Sequence, residues 1–286
     1  MGLLNRLDKV DNWVIYVLLL VVMSVTLIRP VGLAITPSEG TRNVYQAIES
    51  LPSGSIVWLG MDYAPSASAE LMAGQVALLR HGLEKGLRFV AGGTLQVMAG
   101  NIAQELWETV SSQLPDKAYG VDFVNVGYKP GGNVFLEKMM EDAHQALMNV
   151  DNFGTTLSTL PLMSEFESLK DCDLVCSFIS AKGIQDYIAH VTDPEKIPLV
   201  VGAVAVQISE MMPYVASGQI TGILKGMRGS AEYEVVTDKP GPAVAGMDTQ
   251  SFSHLLLIFF IVLGNIGYSV SRKNDKHTAG SGKAGR

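Results

Sequence analysis

Cysteine is nearly absent from this chain. Cys172 and Cys176 are the only two in 286 residues. They lie in DCDLVCSFIS, an apolar run that reads as a buried strand, and strand residues four apart are about 13 Å distant at ~3.3 Å per residue. A disulfide needs Cα atoms within roughly 7 Å, so a strand that begins as early as Cys172 leaves two free, buried thiols. No second ligand pair stands at a spacing suited to zinc, and no metal site is expected. The common catalytic and cofactor patterns are missing too. There is no Walker A loop, no G-x-G-x-x-G after the first strand, no G-x-S-x-G elbow and no H-E-x-x-H. Familiar hydrolytic and redox enzymes are disfavoured, and no cofactor is expected. His81, His144 and His190 are scattered and read as surface or packing residues. The thirteen methionines read as core filling.

Positive charge is scarce where a nucleic-acid binder would need it. Residues 34–251 hold 13 Lys/Arg against 25 Asp/Glu, a balance of −12. Phosphate recognition depends on clustered Lys and Arg, so nucleic acid is not an expected partner. The chain from Ser271 reverses the sign: Arg272, Lys273, Lys276, Lys283 and Arg286 face only Asp275, a balance of +4.

Long apolar runs are confined to the two ends. WVIYVLLLVVMSVTLI (13–28) is sixteen residues without a charge, and FSHLLLIFFIVLGNIGYSV (252–270) is nineteen. A bilayer core of about 30 Å takes roughly 20 helical residues. Trp13 and Tyr16 suit an interfacial belt, and Arg29 can reach the opposite headgroups. His254 reads as interfacial. Asn265, with Gly264 and Gly267, suits contact with a neighbouring helix, either the first span or another subunit. Gly32 and Ala34 offer a signal-peptide cleavage site, but Arg29-Pro30 intervenes and sixteen apolar residues exceed a usual signal core, which favours a retained anchor.

The expected layout is a short cytoplasmic N-terminus (1–12), a first transmembrane helix (13–33), an exported domain (34–246), a second transmembrane helix (250–270) and a basic tail (271–286). The positive-inside rule keeps the tail in the cytoplasm, returns the N-terminus there and leaves the acidic domain outside the cell membrane.

Within the domain, apolar runs alternate with amphipathic segments. Strands are expected at 56–61, 87–93, 121–128, 174–180 and 198–206. Helices are expected near 42–51, 66–85, 97–114, 134–147 and 183–190. SEFE (164–167) matches a capping box opening a further short helix. Residues 209–233 read as one interrupted helix, and 238–246 as a linker. Near-continuous apolar strands alternating with helices predict an α/β fold: a mostly parallel, Rossmann-like sheet of about five strands with helices on both faces.

Ligands of such sheets bind beyond the carboxyl ends of the strands. Two loops there carry suitable residues. Lys129 before the turn Gly131-Gly132-Asn133 can offer an ammonium and backbone N–H groups to an anion, and Lys182-Gly183 repeats the pairing. Against this, Pro-Gly-Gly is ordinary turn chemistry. Asp62, ending the first strand, is the candidate catalytic acid, with a turn-forming or capping role as its alternative.

The strings ESLPSGSIVWLGMDYAPSASAELMAGQVALLRHGLEKGLRF, VNVGYKPGGN and GMRGSAEYE resemble an uncharacterised family of prokaryotic membrane-anchored proteins. The resemblance implies two transmembrane helices around a Rossmann-like domain and brings no activity with it. Three functions follow in order of expectation. The first is an interaction or scaffold subunit of a membrane assembly, with membrane-protein partners or a homo-oligomer formed through the spans. The second is an exported anion-binding or sensing module, and the third is a hydrolase or transferase using Asp62.

Overall fold

The computed structural model describes residues 11–281. The chain separates into two compact units, one spanning Ala34–Val244 and one combining the N-terminal segment to Leu33 with the C-terminal segment from Ala245. In chain order the elements are α1 (Asn12–Ile28), α2 (Glu39–Glu49), β1 (Ile56–Asp62), α3 (Ser68–Glu84), β2 (Arg88–Gly93), α4 (Ala99–Ser111) and β3 (Phe123–Tyr128). Then follow α5 (Asn133–Glu141), α6 (Ala143–Ala146), β4 (Leu174–Ile179), α7 (Ile184–Tyr187), α8 (Asp193–Glu195) and β5 (Leu199–Ala203). The last are α9 (Ile208–Ala216), β6 (Gly222–Lys225), α10 (Gly226–Val236) and α11 (Pro242–Ser281).

The sheet has six strands, all pairs parallel, in the order β3-β2-β1-β4-β5-β6. Five strands were expected; the sixth, Gly222–Lys225, lies inside the segment expected to be helical. Side chains on a strand alternate between faces, and the core divides accordingly. Trp58, Val90, Val175 and Val201 join one cluster, with Phe135 and Met139 of α5 and Tyr187 of α7. Val57, Phe89, Cys176 and Val200 join the other, with residues of α2, α3, α4 and Tyr233 of α10. Both faces are covered, and for that reason the strands are mostly apolar. Cys172 and Cys176 are free and buried; β4 begins at Leu174, so Cys172 lies before the strand and the strand spacing does not apply to the pair.

Three local expectations change. The helix expected over 134–147 breaks at Asp142, whose carboxylate accepts from the Gln145 N–H and starts α6. The capping box sits four residues later than SEFE: Ser168 and Asp171 cap a 3-10 turn at Leu169–Asp171. The strand expected to reach residue 206 ends at Ala203.

The string RGSAEYE is explained by the acids of α10. Glu232 Oε2 accepts from the Ser38 N–H (2.9 Å), the Ser38 hydroxyl (2.6 Å) and the Thr41 hydroxyl (2.8 Å), and so caps the start of α2. Burial opposes its ionisation, but these bonds together with the one from Arg228 outweigh burial and hold its carboxyl below the ordinary 4.5. Two residues on, Glu234 accepts from the N–H groups of Gly241, Ala243 and Val244 at 2.9–3.0 Å, at the start of α11. Tyr233 between them lies 2.8 Å from His81 Nδ1, whose Nε2 is 2.9 Å from Glu49. His81 is thus a packing residue joining three helices.

In the unit formed by the chain ends, α1 stops at Ile28 rather than 33, because Pro30 disfavours helical geometry in Arg29. Its 17 residues rise about 25 Å, less than a hydrocarbon core of about 30 Å. α11 contains Pro242–Ser269, the one helix among the described residues that is long and apolar enough to cross a membrane. The segment expected as a tail continues as helix to Ser281. Lys283 and Arg286 of that tail, and residues 1–10 of the expected cytoplasmic N-terminus, lie outside the described residues. The Thr26 hydroxyl lies within hydrogen-bond distance of Val22 O (2.8 Å) and of the Thr249 hydroxyl (3.0 Å). Buried Asp248 accepts from the N–H groups of Gly32 (2.7 Å) and Leu33 (3.0 Å).

Candidate functional site

The strand order reverses direction between β1 and β4, and the carboxyl ends of those two strands mark the crevice where open α/β sheets take ligands. Here the crevice is filled by the chain itself. Asp62 ends β1 and is fully buried. Its Oδ1 accepts from the N–H groups of Thr94 (2.7 Å) and Leu95 (2.9 Å) in the loop after β2. Its Oδ2 accepts from the Tyr187 hydroxyl (2.9 Å), which in turn accepts from the Trp58 indole N–H (3.2 Å). The Asp62 carbonyl accepts from Ser180 N–H, and the Ser180 hydroxyl accepts from Ala64 N–H. Asp62 therefore ties the end of β1 to the loop after β2 and to α7 through its carboxylate, and to the loop after β4 through its carbonyl.

The electrostatics agree with a structural role. Burial pushes the Asp62 carboxyl up, and the bonds from Leu95, Thr94 and Tyr187 offset this only in part. Burial, followed by the charge of Asp62, pushes the Tyr187 phenol well up, so it stays a donor. Gly183, at φ +147°, lies under Leu95, and a side chain there would run into it. The Thr94 and Leu95 N–H groups that face the crevice are thus already engaged by Asp62.

The other expected residues separate into two places. Lys129 and Gly131 line a cleft of about 590 Å³ beyond the end of β3, with Val134, Phe135 and Met148 as apolar neighbours. Gly132 (φ +53°) and Asn133 complete the turn into α5 beside it, a conformation that glycine permits. Lys182 and Gly183 follow β4, which the strand order sets three positions from β3, about 14 Å at 4.8 Å per strand. They do not join the Lys129 cleft.

Reading the sequence did not find Leu95, Tyr187 or Trp58. The last two are apolar-run aromatics with no local mark of a polar role. The strands on either side of the crevice also carry exposed apolar residues on their carboxyl-end loops. Val97 (74% exposed) and Met98 follow β2, and Val206 (89% exposed) follows β5. No protein-family model matches the chain, and a search of the curated proteins returned no match.

Proposed function

We propose that this chain is a two-pass membrane protein whose exported α/β domain serves as an interaction subunit of a membrane assembly, docking a partner protein at the carboxyl edge of its sheet. The observation that carries this reading is the closed crevice: Asp62 is buried and bonded to three donors, so the fold's usual place for chemistry presents no open acid. Around it, Val97, Met98 and Val206 present apolar surface to solvent, a pattern that suits protein recognition.

The membrane assignment extends the apolar α11 to a pair. Support for a retained first span comes from the Asp248 bonds to Gly32 and Leu33 and from the Thr26–Thr249 pair, which tie α1 and the residues after it to α11. Exposed Trp13, Leu20, Leu255 and Phe259 suit lipid. The charge reversal between domain and tail favours both termini in the cytoplasm. A side chain at Gly264 would meet nothing within 4 Å, which leaves that face open to another helix. Membership of the prokaryotic membrane-anchored family belongs to the same proposal.

Tagged full-length protein, recovered from native membranes, is expected to bring down a discrete membrane-protein partner. Val97→Asp combined with Val206→Asp should reduce that recovery at least about tenfold, as loss of an apolar anchor does. Undiminished recovery with the domain still folded would remove the carboxyl edge from the proposal.

A further inference from the structure

The cleft beyond β3 uses none of the residues Val97, Met98 and Val206 and has its own chemistry. Lys129 is half-buried, and among the described residues its ammonium has no hydrogen bond or ion pair. Asp151, the acid whose charge it feels, is already bonded to the N–H groups of Phe153 and Thr155 and to the Tyr119 hydroxyl, at 2.8–2.9 Å. Lys138, four residues beyond Val134 on the same face of α5, adds a second ammonium to the wall. The rest of the wall is mixed: Val134, Phe135, Ala146 and Met148 are apolar, while Glu141 and Gln145 are polar and stand further along α5 and α6.

The backbone at the rim is held in an unfavourable form. Met148 (φ +57°) and Asn149 (φ +55°) are consecutive left-handed residues, neither of them glycine. Hydrogen bonds from Asn149 N–H to His144 O and from Leu157 N–H to Asn149 O hold the bend, and Met148 stands 71% exposed beside the cleft. Strain that leaves an apolar side chain in water at a cavity rim is the kind that accompanies ligand contact.

We propose that this cleft binds a small amphiphilic anion, a carboxylate or phosphate monoester on a compact apolar group, with Lys129 and Lys138 at the anionic head and Val134, Phe135 and Met148 against the apolar part. A half-buried, unpaired ammonium gains from an anion through a charge-assisted bond. The volume of about 590 Å³ falls in the range of small-molecule sites. Head and body are both required, since the apolar wall does nothing for inorganic phosphate and the lysines do nothing for an alcohol.

The test is calorimetric titration of the full-length protein in zwitterionic nanodiscs with phenyl phosphate, inorganic phosphate and benzyl alcohol. Phenyl phosphate is expected to bind saturably, and the other two at least about tenfold more weakly. Lys129→Met should weaken phenyl phosphate about tenfold or more, Lys129→Arg should restore it, and Val134→Asp should remove the preference for an aryl body. Dihexanoyl phosphatidic acid separates the two sources of such anions: tighter binding than phenyl phosphate identifies a lipid headgroup, and weaker binding a soluble phosphate ester. Absence of saturable phenyl phosphate binding, or binding unchanged in both Lys129→Met and Val134→Asp with their melting temperatures intact, overturns the proposal. Neither result bears on partner recovery at the carboxyl edge.

Discussion

Asp62→Ala is expected to destabilise the domain by about 3–5 kcal/mol, because it leaves three buried donors without an acceptor. Those donors are the N–H groups of Thr94 and Leu95 and the Tyr187 hydroxyl. For a domain of this size the fall in melting temperature is on the order of 10 °C. Asp62→Asn keeps the shape and an oxygen for Thr94 and Leu95, so its cost should be smaller. It should also change the pH response. Burial raises the Asp62 carboxyl above its ordinary value. The folded state therefore holds the proton more tightly than the unfolded state, and stability is lost as pH rises through the raised value. Asn does not titrate, so the gap between Asp62→Asn and the parent should narrow over that rise. A catalytic acid behaves in the opposite way, since residues kept for chemistry often cost stability and their removal raises it. Denaturant unfolding of the three proteins across pH decides the matter. An Asp62→Ala chain as stable as the parent, or more so, would return Asp62 to the list of catalytic candidates.

Glu234→Ala is expected to cost about 2–4 kcal/mol and to act locally, at the N-terminus of α11. Its carboxylate accepts from Gly241, Ala243 and Val244, while Pro242 at the first helical position has no N–H to satisfy. A negative group at a helix start also gains from the helix dipole. Burial raises the Glu234 carboxyl, and the three N–H bonds and Arg80 work against that. Amide exchange reports the loss directly: the amides of Ala243 and Val244 should exchange at least about tenfold faster, each factor of ten being about 1.4 kcal/mol. Amides in β1 and β4 should change less. Exchange at 243 and 244 identical to the parent would mean that the helix start is held by something other than Glu234.

Much of this fold was legible because its signals are local. Runs such as residues 56–61 and Leu174–Ile179 are nearly continuous in apolar residues, with Ser177 the exception, the mark of strands covered on both faces. Gly222–Lys225 escaped because four residues with one glycine and one lysine carry little strand pattern, and they follow a segment whose spacing is helical. What makes Gly-Ile-Leu-Lys a strand is pairing with Val200–Ala203, a contact that no local window contains. The candidate site has the same history. Asp62 was noticed for its place at a strand end, but its partners Thr94 and Tyr187 lie 32 and 125 residues away. The acids of RGSAEYE stood out as a string, yet Glu232 acquires its role from Ser38 and Thr41, more than 190 residues upstream. Lys129 was legible as a cation before a glycine turn. The apolar wall that gives it a cleft comes from α5, α6 and Met148.

The most direct test of the central claim, that the carboxyl edge binds a partner rather than a substrate, is photo-crosslinking in native membranes. A photoreactive residue at position 206, beside the closed crevice, is compared with one at position 121, an exposed valine before β3 at the amino edge of the sheet. One discrete protein adduct is expected from position 206 and none from position 121. Equal labelling from both positions, or adducts from position 121 alone, would contradict the claim.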